Sequence, residues 1–331
     1  MSDAPLLRAA LWGAAGVAGI VLVLAPAFVG SYYQYVASLI LINILIASGL
    51  NLLTGAAGQI SLCNSSFMAI GAYASVYLTN QVGLPYWLSL PSAGLIAAGF
   101  GLILGVPALR VRGFYLAVVT LAFLEITQII IEETPSVTGG VRGVLAPRPS
   151  LFGYGFTTDL SFYYVVLITT CVGVYFAWSL LNSPTGRAFN AVRVNEAVAQ
   201  TMAIPVVSIK LQAFALSAFY AGIGGGLFAP LVGFIDPLEF GVWTSIYHIV
   251  FIVVGGLGTV AGPIIGAAVL TALPEFLRGF QEYRELIYGA LLLICLMGMP
   301  QGIAGVLAGV RGHVAPPAAG DKPRQAAGAG S

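Results

Sequence analysis

The sequence predicts an all-α polytopic membrane protein with about ten transmembrane helices. Three observations carry that prediction. Of the 331 residues, 59% are apolar and only 8% charged, whereas a soluble domain needs roughly a quarter of its residues charged. Mean hydropathy is +0.96. Apolar runs recur near 9–30, 35–53, 61–79, 87–108, 114–131, 160–181, 210–232, 242–257, 262–278 and 286–307, most of them close to the roughly 17–25 residues a helix needs to cross a bilayer.

Taken in order, the run at 9–30 is longer than the roughly 7–15-residue core of a signal peptide, although Ala25-Pro26-Ala27 imitates a cleavage site, and it reads as a retained span. The next two runs share GLNLLTGAAGQISLCNSSFMAIGAY at 49–73. Its glycines, Gly55 and Gly58 among them, permit close helix approach, while Gln59, Asn64, Ser65 and Ser66 need partners in lipid. These polar residues either line a path or tie helices together. The run FYLAVVTLAFLEITQIII at 114–131 carries Glu125, an acid well inside a span, with Thr120, Thr127 and Gln128 on the same helix. An ionisable group at mid-membrane costs at least about 2.5–3.5 kcal/mol, so Glu125 is expected to face the bundle interior. The run at 242–257 is short and ends in Gly255-Gly256, which leaves a half-span or re-entrant piece open beside a full crossing. After Leu307 the chain turns to Pro, Gly, Ala and scattered charge. We expect a transmembrane domain over 1–308 and a disordered cytoplasmic tail over 309–331.

Between two long apolar runs lies SPTGRAFNAVRVNEAVAQTMAIPVVSI, residues 183–209. Arg187, Arg193, Asn195 and Glu196 stand there among alanines and valines at helical spacing, which predicts short amphipathic helices for another protein to grip. Orientation follows from the excess of Lys and Arg on cytoplasmic loops. An N-terminus inside places Arg8, Arg110, Arg112, Arg187, Arg193, Lys210, Arg311, Lys322 and Arg324 in the cytoplasm. Arg142, Arg148, Arg278 and Arg284 then fall outside, with Glu132, Glu133, Asp159, Asp236, Glu239, Glu275, Glu282 and Glu285. Both termini are cytoplasmic in this arrangement, as is the 183–209 segment.

Several function classes are excluded on the same grounds. Net charge is +1 and no basic stripe exists, so nucleic acid is not an expected partner. TGGVRGV at 138–144 and GGLGTVAGP at 255–263 are glycine-rich, but neither continues into the GK[ST] of a phosphate-binding loop. His248 and His313 lack carboxylates at ligand spacing, which argues against metal and triad chemistry; His248 reads as a hydrogen-bonded interior residue. Cys63, Cys171 and Cys295 read as small buried packing residues. A transporter subunit, a self-sufficient carrier or channel, and an intramembrane enzyme remain in competition. The second lacks a visible coupling-ion constellation, and the third lacks a paired acid and base.

The blocks at 49–73, GFYLAVVTLAFLEI, VTGGVRGV, SPTGRAFNAVRVNEAVAQTMAI and VGGLGTVAGPIIGAAVL resemble, in the same order, the permease subunits of branched-chain amino acid ABC transporters of the LivM type. The resemblance covers about 35–305. It implies a bacterial inner-membrane subunit without an ATPase site or cofactor of its own. The implied partners are a homologous LivH-type permease, two cytoplasmic ATPases holding ATP and Mg, a periplasmic solute-binding protein and membrane lipid. The implied substrate is a branched-chain or other hydrophobic amino acid, with urea or a short amide as the alternative. By position, the family's coupling segment falls on Thr185, Gly186, Arg187, Arg193, Glu196 and Ala199, and Ala203 stands where the family usually has Gly. Cys63 and Asn64 stand where it more often has Gly and His or Gln. Candidate translocation-path residues are Gln59, Asn64, Ser65, Thr120 and Glu125.

Overall fold

A computed structural model of the chain describes residues 25–111, 113–151, 154–155, 158–276, 289 and 302–305. Most of the runs expected at 9–30 and 286–307, the tail, Arg8, Arg112, Arg278, Arg284 and Cys295 lie outside the described residues. Each of the other eight runs holds a helix. In chain order the α-helices longer than four residues are α1 (Ser31–Leu50), prolonged by a π-helical turn at Asn51–Ala56, then α2 (Asn64–Asn80), α3 (Tyr86–Ala108), α4 (Phe114–Glu133) and α5 (Asp159–Asn182). The polar segment folds as α6 (Pro184–Val194) and α7 (Glu196–Thr201); α8 (Val206–Val232), α9 (Val242–Gly255) and α10 (Ala261–Phe276) follow.

Five of these are long and apolar enough to cross a membrane: α1 with its extension, α3, α4, α5 and α8. The 14 residues of α9 extend about 21 Å at 1.5 Å per residue, short of a hydrocarbon core about 30 Å thick. Only 28% of the apolar windows of α4 and α5 are buried, against 67% for α8 and 72% for α1, so α4 and α5 lie at the rim of this chain.

The middle of the bundle is α8, and its glycines explain why three helices crowd it. A Cβ at Gly224 would stand 2.3 Å from Ile46 Cγ1 on α1, one at Gly225 1.9 Å from the Met68 carbonyl oxygen on α2, and one at Gly222 2.5 Å from Ala97 Cβ on α3. Close backbone approach of this kind supplies the packing that the hydrophobic effect does not supply between helices in lipid. Single hydrogen bonds then pin the neighbours. Tyr86 donates to Gly226 O at 2.9 Å, Tyr220 to Gly173 O at 2.7 Å and Thr170 to Leu41 O at 3.1 Å.

Two small antiparallel ladders interrupt the otherwise helical fold, pairing Val144–Leu145 with Phe234–Ile235 and Ser150–Leu151 with Tyr154–Gly155. At that end Tyr32 bonds Glu275 and Arg148 pairs with Asp159. The expectation for cysteine holds at Cys63, which is buried, and fails at Cys171, which is exposed. The inner stripe of α5 runs through Phe162, Val166, Thr170 and Ala177, and Cys171 falls beside it.

Candidate functional site

The site grows from the way α1 ends. Its last turn widens to a π-helix, where Ala57 N–H and Gln59 N–H reach Leu52 O and Leu53 O, each at 3.1 Å. Gly58 then takes φ +70, a conformation that glycine adopts without strain. From there the chain runs back, without helix, to Asn64. Non-helical backbone inside a bundle needs internal partners. Thr120, on the inner face of α4, accepts from Leu62 N–H at 2.9 Å, and Thr54 donates to Gln59 O at 3.0 Å. The Gln59 amide is turned onto Ala57 O at 3.3 Å and is buried.

Because of this detour α2 begins partway along the bundle. Asn64 Nδ2 lies 3.1 Å from Nδ1 of His248, at the middle of α9, and Ser65 shares a 2.7 Å hydroxyl contact with Ser245. Ser65 N–H donates to Ser245 Oγ at 3.0 Å, and Ser65 Oγ donates to Gly241 O at 3.1 Å. All four side chains are buried. Asn64 Oδ1 and Ser66 Oγ are buried without a partner, which costs about 1–3 kcal/mol each unless something else supplies a donor. The result is a neutral cluster of amide, hydroxyl and imidazole at a helix N-terminus, where the dipole favours negative charge. It can hydrogen-bond a zwitterion without trapping it. His248 is the hydrogen-bonded interior residue expected of it; Ser245 and its partnership with Asn64–Ser65 were not foreseen.

Glu125 requires a correction. The buried stripe of α4 is Leu116, Thr120, Leu124, Thr127 and Ile131, and Glu125 is exposed on the other side. Packing turns Thr120 and Thr127 inward, and helical periodicity then turns Glu125 outward, since it lies on the opposite side of the helix. The structure therefore places Asn64 and Ser65 together with His248 and Ser245, ties Thr120 to the preceding segment through Leu62, turns Gln59 onto Ala57 O, and leaves Glu125 apart.

In the polar segment, Ser183 caps α6 by accepting from Gly186 N–H at 3.4 Å, and Pro184 takes the first helical position, where its missing donor is harmless. Gly186 admits no side chain, since a Cβ would stand 2.3 Å from Leu181 O. Thr185 is half-buried, whereas Phe189, Val192 and Ala199 point into the protein. Asn195 caps α7 by accepting from Ala197 N–H at 2.9 Å and Val198 N–H at 3.2 Å.

The three charges expected to face a partner behave differently from one another. Arg187 is exposed. Glu196 pairs with Lys210 on α8 at 2.5 Å, with side chains 16% and 3% exposed. Arg193 is exposed as well, but it turns back and donates to Gly55 O. Its stem packs on Gly58, where a Cβ would stand 2.9 Å from Arg193 Cγ, and its Nη1 would stand 2.8 Å from a Cβ at Gly258. Asn51 closes the same knot, accepting from Gly258 N–H and donating to Thr259 O, both at 2.8 Å. Arg193 thus touches the start of the segment leading to Asn64 and the turn after the helix that carries His248.

The outward face of α6–α7 is more apolar than its charges suggest. Val194, Val198 and Met202 are 85%, 53% and 72% exposed. Their spacing of four was the available signal. Ala203, where the resemblance implies a glycine, adopts φ +58 and is the described non-glycine residue at positive φ. The left-handed conformation costs alanine about 1–2 kcal/mol. Ala203→Gly is therefore expected to raise the thermal midpoint of the purified protein and leave uptake unchanged; a lower midpoint would contradict this account.

A family model described as "Branched-chain amino acid transport system / permease component" matches residues 32–296. The high-affinity branched-chain amino acid transport system permease proteins LivM of Salmonella typhimurium and Escherichia coli are 35% and 36% identical over 292 residues, covering 81% of this chain and 69% of each relative. LivH of Salmonella typhimurium is 26% identical over 282 residues, covering 79% of this chain and 90% of its own. No solved structure matches at a significant level.

Proposed function

This chain belongs to the family of branched-chain amino acid transport system permease components, and from that premise we propose that it forms, with a LivH-type permease, the membrane path of an ABC importer for branched-chain or other hydrophobic amino acids. Two cytoplasmic ATPases, loaded with ATP and Mg, drive it, and a periplasmic binding protein delivers the solute. The chain itself holds no cofactor and catalyses no reaction. It sits in the bacterial inner membrane with both termini and α6–α7 on the cytoplasmic side, as the positive-inside argument requires.

The observation that carries this reading is the neutral cluster at the interrupted start of α2. Asn64 Oδ1 and Ser66 Oγ wait there for donors, and half-helix termini near the bilayer midplane are where transporters hold solutes. Closing the ATPase pair moves α6–α7, docked through Val194, Val198, Met202 and Arg187. Arg193 passes the motion to both sides of the cluster, and the bundle rocks between inward and outward access. The test is leucine uptake into proteoliposomes holding the complete complex. Uptake should require ATP and the binding protein, and Asn64→Ala should lower it about tenfold, as expected for one lost hydrogen bond. Equal transport by this chain alone would sink the subunit reading, and full uptake by Asn64→Ala would sink the site.

A further inference from the structure

The surface of α4 carries a feature that lipid does not tolerate. Glu125 is the twelfth of 20 residues in a spanning helix, about 12 Å from the end marked by Glu133 and about 16 Å from the other. Its side is exposed along Tyr115, Val118, Ala122, Glu125 and Ile129, residues three or four apart that form one stripe. The outer face of α5 is the contrast. Ile168, Val172, Tyr175, Phe176 and Trp178 are exposed there with no charged neighbour between them, and Tyr175 and Trp178 lie toward one end, as in a lipid-facing belt. Among the described residues, Glu125 is the acid that stands exposed in the middle of a long apolar helix. An ionisable group at that depth faces protein or water rather than lipid. The described residues of this chain leave the face open, and a helix of another chain can cover it. Ala122, one turn before Glu125, leaves room for a second helix to come close.

We propose that this stripe of α4 is the surface on which the second permease docks, and that a helix of that subunit offers Glu125 an N–H or O–H donor. The proposal rests on the permease-pair reading above. It places the carboxylate at the seam between the two subunits. Thr120, on the opposite side of the same helix, holds the segment leading into the neutral cluster. A shift of α4 at the seam therefore reaches Leu62 directly.

The experiment uses the complete transporter in membranes, with a photo-crosslinking residue at Val118, Ala122 or Ile129 on α4, and at Ile168 or Val172 on α5 for comparison. Adducts with the second permease should form from the α4 positions, at least tenfold above those from α5. Lipid adducts alone from α4, or adducts with another copy of this chain, would overturn the proposal. Co-purification of the second permease with the unmodified chain is measured in parallel: its absence sinks the pair reading and the proposal together, whereas its presence without α4 adducts sinks the proposal alone. Glu125→Gln and Glu125→Leu add a second readout. Gln still accepts a hydrogen bond, so recovery of the second permease on the tagged chain should hold for Gln and fall several-fold for Leu at equal abundance. Full recovery and full uptake with Leu would count against a docking role for the carboxylate.

Discussion

Arg193→Ala is expected to cut uptake by the assembled transporter about tenfold while basal ATP hydrolysis continues. The guanidinium donates to Gly55 O and lies against Gly258, and the stem fills the space that Gly58 leaves open. A hydrogen bond from a charged donor is worth about 1.5–3 kcal/mol, and the exposure of Arg193 puts this one at the lower figure, about tenfold in an equilibrium constant. Its loss frees α6 from the segment that leads to Asn64 and from the turn after α9. On the proposed coupling route, the ATPases would then move a helix that no longer pulls on the cluster. Arg193→Lys should recover part of the uptake, because the charge remains but the planar fork does not. Arg187→Ala should be mild, as truncation of a rim charge usually is, because Arg187 does not share the bond that Arg193 makes to Gly55. The measurement is uptake beside binding-protein stimulation of ATP hydrolysis, in complexes of equal abundance. Normal stimulation and normal uptake in Arg193→Ala would refute the role.

Glu196→Gln is expected to destabilise the protein by about 3–5 kcal/mol, because it leaves Lys210 buried without its counter-charge. Both members of this pair are largely shielded, at 3% exposure for Lys210 and 16% for Glu196. The solvent screening that makes surface pairs weak is therefore small here. Removing both charges with Glu196→Gln and Lys210→Met should restore most of the stability, since a buried pair replaced by neutral groups of similar volume is often neutral in cost. Thermal midpoints of the single and double variants in one detergent decide the matter. A double variant as unstable as the single would show that the buried charge was not the cause.

Much of the fold was legible locally. Hydropathy placed helices in all eight runs within the described residues, and the mixed polar stretch at 183–209 does fold as two short helices. The caps there follow directly from residue type, with Ser183 and Asn195 accepting from the first-turn donors and Pro184 at the first position. Ala203 is subtler. It stands where the resemblance implies a glycine and adopts φ +58, so the alanine bears the strain of a left-handed turn. The glycine and polar content of 49–73 announced an interruption between two helices. It did not announce a π-turn, because that depends on how Asn51 meets Gly258 and Thr259 across more than 200 residues.

By itself, the sequence determined that this is a helical membrane protein, where its helices lie, and which family it belongs to. These follow from composition, from the length of apolar runs and from blocks in a recurring order, all of which are read along the chain. Direction around each helix belonged to the tertiary structure. In a soluble protein the polar face of a helix points to water and the apolar face inward, so the pattern reveals the orientation. In a membrane both lipid and neighbouring helices are apolar, so hydropathy does not tell one face from the other. For that reason packing alone decided that Glu125 looks out while Thr120 looks in. It also brought Asn64 to His248 across 184 residues and Arg193 to Gly55 across 138.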